Sequence, residues 1–165
     1  MKSMFAAVLF GGLLISCAPS FAQEDNPATP TKADRQAIED CIQSSSESGY
    51  SLDRCIGTVA DPCLQEDGND STPMMEACSD KEATIWDDRL NAAYKQLMGK
   101  LDDDRKATLK AQQKAWIALR DQTCEMEASF WDGGTGAGPA ATACYQRETG
   151  HRALTLEGFL SYLQE

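Results

Sequence analysis

From about residue 74 the apolar positions of this chain recur at intervals of three and four. Trp86, Leu90, Ala93, Tyr94, Leu97, Met98 and Leu101 form one such stripe, the spacing that gathers side chains on one face of a helix. Gly99 weakens the far end of that helix. Asp102, Asp103 and Asp104 follow, where carboxylates complement the positive end of a new helix. That helix is predicted over about residues 103–129, with Leu109, Gln112, Trp116, Leu119 and Thr123 on one face. Its segment 112–124 joins a helical period to a Trp, an Arg-Asp pair and a terminal Cys124, and reads as the central helix of the fold. Residues 131–139 are glycine-rich and read as a flexible loop. A last helix is predicted from about Ala140 to Leu163, presenting Cys144, His151, Leu154, Phe159 and Leu160, with an irregularity at Gly150.

Two shorter helical patterns come earlier. Ala33 to Ser45 places Ala37, Ile38, Cys41 and Ile42 on one face, and the serine-rich run 44–49 breaks it. A second begins at Ser51, an N-cap with Arg54 at the third helical position, and runs through Leu52, Cys55, Ile56 and Val59. Residues 64–72 form an acidic loop. No apolar run of period two exceeds four residues, so no strand is predicted. The expected fold is all-α: a small disulfide-stapled helical bundle of three main helices plus an N-terminal helical hairpin. The expected organisation is a signal peptide over 1–22, a flexible linker over 23–32, the hairpin over 33–62 and the main helical domain over 63–163.

The start of the chain indicates export. Lys2, an apolar run from Ala6 to Ile15, and Ser20-Phe21-Ala22 before Gln23 have the layout of a secretory signal peptide. The apolar run is too short to span a bilayer. Leu14-Ile15-Ser16-Cys17 also has the form of a lipoprotein cleavage box, with Cys17 as the lipidated residue. The two routes give a periplasmic or secreted protein, or a membrane-anchored lipoprotein facing the periplasm. Both leave six cysteines: Cys41, Cys55, Cys63, Cys78, Cys124 and Cys144. Behind an export signal these read as three disulfides. Local geometry favours the sequential pattern, Cys41–Cys55, Cys63–Cys78 and Cys124–Cys144, each closing a short loop. The alternative pairs Cys41 with Cys63 and Cys55 with Cys78.

Formal charge is −11, and loss of Lys2 with the signal peptide makes it −12. Such a chain lacks the basic footprint of nucleic-acid or anionic-membrane binding; it suits a basic protein partner. No cofactor is expected. Zinc would need a tight cysteine pair with histidine nearby, and His151 is the one histidine. Asp67, Asn69 and Ser71 alternate like the start of a calcium loop, but Thr72 stands where glycine is required and Cys78 where glutamate is. Glu82, Glu125 and Glu127 could in principle supply paired carboxylates for glycoside hydrolysis. A lone helical glutamate is more often solvated, no Ser-His-Asp set exists, and no enzyme is expected.

Leu90-Asn91-x-x-Tyr94, Gln113-x-x-Trp116-x-x-x-Arg120-Asp121-x-x-Cys124, Gly133-Gly134-Thr135 and Cys144-x-x-x-x-Thr149-x-x-Arg152 together resemble the LprI-like N-terminal domain of lysozyme inhibitors. The resemblance covers about residues 63–160, with Cys63 and Cys78 where that family has its first cysteine pair. Thr135 replaces a usual serine, and the Cys41/Cys55 hairpin is an addition. The resemblance implies a small exported helical protein that inhibits lysozyme. The motif residues read as structural: Trp116 and Tyr94 as core aromatics, and Arg120 and Asp121, which do not share a helix face, each bonding a separate neighbour. Arg152 and Thr149 complete that network, and His151 is a satisfied, partly exposed histidine. The expected function is binding and blocking of lysozyme or a related cell-wall hydrolase. The alternative is a non-catalytic envelope protein that binds another exported protein. A protein inhibitor needs a protruding element, and the candidates are Glu66, Asp67 and Asp70 in the acidic loop and Trp131 and Asp132 beside the glycines 133–138.

Overall fold

The computed structural model describes residues 26–163. The signal-peptide and lipidation readings, Cys17 included, lie outside the described residues. The elements are α1 (Lys32–Ser48), a 3-10 helix (Leu52–Cys55), α2 (Ala60–Leu64), α3 (Thr72–Lys100), α4 (Asp103–Ser129) and α5 (Ala137–Ser161). No strand occurs among the described residues, and the all-α class holds.

Local chemistry explains most boundaries. Thr31 caps α1 reciprocally with Asp34: the Asp34 N–H donates to Thr31 Oγ1 at 3.1 Å, and the Thr31 N–H donates to Asp34 Oδ2 at 2.7 Å. Thr31 and the five residues before it belong to the expected linker, and Ala28 lies half-buried beside Arg120 and Tyr145. The serine run does not break α1. Serine tolerates a helix, and the stop comes at Gly49, whose φ of 71° lets the Tyr50 N–H return to the Ser45 carbonyl at 2.9 Å. The second arm of the hairpin is not one helix. Gly57 takes φ 104°, a left-handed turn that separates the 3-10 helix from α2. Asp102 caps α4 by accepting from the Arg105 N–H at 2.8 Å, so α4 keeps its predicted bounds. α5 starts earlier than expected because Pro139 sits in its first turn, where its missing N–H costs no helical hydrogen bond.

The three long helices alternate in direction. Glu76 meets Gly138 and Trp86 meets Gly150, so α3 and α5 run parallel. Cys124 bonds Cys144 and Gln113 meets Arg152, so α4 runs antiparallel to α5. The central helix is therefore α5 and not α4. It buries Leu154, Leu156 and Leu160 against Ile85, Trp86, Leu90 and Leu97 of α3, and Ile38 of α1 joins the same core. The helix α4 buries only Leu109 and Cys124. Leu119, expected on its inner face, is 64% exposed, and Phe159 of α5 also reaches solvent. Gly150 is not an irregularity: α5 is continuous through it, and a Cβ there would lie 2.9 Å from Ile56 Cγ1. The missing side chain is what lets Ile56 and Trp86 approach.

The N-terminal segment is tied into this core. Arg89 of α3 reaches Glu39 of α1 at 2.6 Å and Glu157 of α5 at 3.1 Å. Burial opposes its charge, yet hydrogen bonds to both carboxylates and their negative charge outweigh that and hold its pKa above the usual guanidinium value. Arg35 pairs with Asp88 at 2.8 Å. His151 is exposed and faces Asp53 of the 3-10 helix at 3.1 Å. Three disulfides complete the frame, Cys41–Cys55, Cys63–Cys78 and Cys124–Cys144, the sequential pattern.

Candidate functional site at the stapled end of the bundle

Because α3 and α5 begin where α4 ends, the loop before α3 (65–71) and the loop before α5 (130–136) emerge from the same end of the bundle. Thr72 Oγ1 lies 3.5 Å from the Thr135 carbonyl, and the Glu76 side chain fills the space over Gly138. Two disulfides fix the bases of these loops, Cys63–Cys78 under the first and Cys124–Cys144 under the second.

The acidic loop is built around Asn69, whose side-chain amide donates to the Cys63 carbonyl at 2.8 Å. Gly68 turns the chain with φ 90°. Glu66, Asp67 and Asp70 remain exposed. Residues 60–80 hold six acids and no Lys or Arg, so this end is negative well beyond the loop itself. Asp80 belongs to that run, and partial burial raises its carboxyl pKa above the ordinary value.

The second loop carries more of its own structure than its glycine content suggests. The N–H groups of Trp131 and Asp132 continue the winding of α4 by donating to Ala128 and Ser129. Asp132 and Gly133 then reverse the chain with φ 47° and 75°. The Gly134 N–H returns to the Trp131 carbonyl at 2.7 Å, and the Trp131 ring lies directly over Gly136, where any Cβ would fall 2.1 Å from Cε3. A side chain at position 136 would push the ring off this seat. Trp131 is held on one face and open on the other, 55% exposed, and Phe130 beside it is 76% exposed. The structure thus brings Glu66, Asp67 and Asp70 to the same end as Trp131 and Asp132. The acid run from 60 to 80 was visible in the sequence, but its nearness to Trp131 follows only from the helix directions.

Apart from Gly133-Gly134-Thr135 and the cysteines, the motif residues lie elsewhere, on α3 and in the seam between α4 and α5. Arg120 is sandwiched between the rings of Trp116 and Tyr145, 4.9 Å from each centroid. It also bonds Asp121 directly, through Nε at 3.1 Å and Nη2 at 2.9 Å. Arg120 thus does reach the neighbouring helix, through Tyr145, whereas Asp121 bonds Arg120 and not the separate neighbour expected, because the guanidinium is long enough to lie along its own helix. Arg152 also lies over the Trp116 ring, at 5.9 Å, and donates to Gln113 Oε1 at 2.9 Å. Its Nη2 is buried without a partner, and burial lowers its pKa. Thr149 and Leu90 are buried, while Tyr94 and Trp116 pack at the margin of the core. Asn91 bonds Asp87 on its own helix at 2.8 Å. A shallow cleft of about 440 Å³ beside this seam is bordered by Arg120, Tyr145, Asp80 and Asp87.

The three helical glutamates do not converge on a cleft. Glu82 is fully buried, against the expectation of a solvated side chain. Its Oε1 accepts from the Trp86 indole at 2.8 Å and the Gly57 N–H at 2.7 Å; its Oε2 accepts from the N–H groups of Val59 at 2.8 Å and Ala60 at 2.7 Å. Glu127 pairs with Arg147 across the α4–α5 seam, and Glu125 is exposed.

No helix among the described residues is long and apolar enough to cross a membrane. No curated protein and no solved structure shows detectable similarity to the chain. The family model described as Lysozyme inhibitor LprI matches residues 63–156, which span the acidic loop, both loop-closing disulfides and the Trp116–Arg120–Tyr145–Arg152 stack. The chain belongs to the LprI lysozyme-inhibitor family.

Proposed function

We propose that this protein binds and blocks lysozyme, or a related cell-wall hydrolase, with the stapled end of its bundle. The observation that carries the reading is the half-exposed Trp131, seated on Gly136 and set at the same end as an acid run free of Lys and Arg. An aromatic held in place before binding loses little entropy on contact, which is why Trp recurs among residues that dominate interfaces. Surrounding carboxylates attract a basic enzyme and raise its rate of encounter. In this reading the protein is exported by residues 1–22 and works in the periplasm or outside the cell, or from a lipid anchor at Cys17. Three disulfides suit such an oxidising compartment.

The test is lysis of a cell-wall suspension by several lysozyme types, with oxidised protein of residues 23–165 titrated in at low and moderate salt. Dose-dependent inhibition at moderate salt, lost on reduction, is the expected result. Inhibition confined to low salt would reduce the effect to charge pairing, and no inhibition of any type would leave the envelope-binding role.

A further inference from the structure

The face of α4 that points away from α5 has no partner among the described residues, and its two halves differ in size. Ala107, Ala111, Ala115 and Ala118 occupy the N-terminal half, all exposed. Leu119, Gln122, Met126 and Phe130 continue the same stripe in the C-terminal half, and Met126 alone is 59% exposed. Read outward from the point between Ala118 and Leu119, both halves step by three, four and four residues. The small half and the large half are therefore mirror images in spacing.

We propose that this face pairs with the same face of a second copy, with the two α4 helices antiparallel about a twofold axis at residues 118–119. That operation sets Leu119 level with the partner's Ala118, Gln122 with the partner's Ala115, Met126 with the partner's Ala111 and Phe130 with the partner's Ala107. Along the seam every level then pairs one large side chain with one alanine, so the summed bulk is even from end to end, the self-complementarity a twofold interface requires. Small residues let two helices approach closely enough for larger ones to fill the remaining space.

The charges agree with the same register. Lys110 and Lys114 flank the small half, and Glu125 flanks the large half; none of the three forms an ion pair among the described residues. At 1.5 Å per residue, the antiparallel pairing sets Lys114 about 3 Å along the axis from both the partner's Asp121 and the partner's Glu125, on the same side of the seam. A parallel pairing would put Lys114 across the seam from the partner's Asp121 and the partner's Glu125, and would set large side chains level with large ones. The antiparallel copy is thus the occupant that both size and charge select. The proposal does not rest on the inhibitor reading.

Sedimentation velocity of the mature, oxidised protein over a micromolar to millimolar range tests it. A monomer–dimer equilibrium is expected, and a species that stays monomeric throughout overturns the proposal. Met126→Lys and Leu119→Lys change side chains that are solvent-exposed in the monomer, so each should leave the circular dichroism unchanged and raise the dimer dissociation constant at least about tenfold. A dimer indifferent to both uses another face. Lys114→Glu and Glu125→Lys should each weaken the dimer, and the double swap should dimerise more tightly than either single variant, short of native because Asp121 is unchanged. Failure of the double swap to recover affinity rejects the antiparallel register.

Discussion

A buried glutamate is the residue on which the N-terminal half of this fold turns. Glu82 accepts four hydrogen bonds and is fully buried. Three of its donors are backbone N–H groups of the irregular stretch around Gly57, a segment without helical partners of its own. Glu82→Ala would leave three buried N–H groups and the Trp86 indole unsatisfied. We expect a loss of about 3–5 kcal/mol in urea unfolding, since stranding several buried donors exceeds the cost of losing one neutral hydrogen bond. A loss below about 1 kcal/mol would mean that water or relaxation replaces the carboxylate. None of this was legible in the sequence, because Glu82 looks like any helical glutamate and its backbone donors lie 22 to 25 positions away. Two of the three tryptophans teach a similar lesson. Trp86 and Trp116 both sit on helical stripes, yet Trp86 is fully buried and Trp116 marginal. Periodicity identifies the inward face of a helix, and the number of elements packed on that face decides depth.

At the level of elements, α4 was placed almost to the residue because its cap is written in Asp102 and its end in the glycine-rich loop. Its role was misread. A helix with one neighbour and a helix with several show the same period, and here the several neighbours belong to α5, whose apolar residues spread around its circumference. The extra helical turn at the start of α5 was hidden by glycines and Pro139, which favour loops in general but are tolerated in a first turn. The disulfide pairing was readable as a preference, since each bond spans only 14 to 20 positions of one local loop. Replacing Cys124 and Cys144 together by alanine should cost about 3 kcal/mol in the chain-entropy account. It should also loosen the base of the second loop, so that iodide quenches Trp131 fluorescence more strongly than in the native protein. Unchanged quenching would show that the seat on Gly136 holds Trp131 without the disulfide.

For the whole molecule, net charge and a preformed loop pair act at different stages of binding. The acidic surface acts over a distance of about 10 Å or less at ordinary salt and sets encounter rates. A seated aromatic acts in contact and sets how long the complex lasts. Composition revealed the first of these and the helix directions revealed the second. The measurement that tests the account most directly is inhibition of a basic lysozyme at moderate salt by the native protein, by Trp131→Ala and by the triple variant Glu66→Gln, Asp67→Asn, Asp70→Asn, each first shown to be folded. The account predicts at least about a tenfold loss of potency for Trp131→Ala. For the triple variant it predicts a smaller loss, seen mainly as slower association and shrinking as salt rises. Native potency in both variants would contradict it and move the inhibitory surface away from the stapled end.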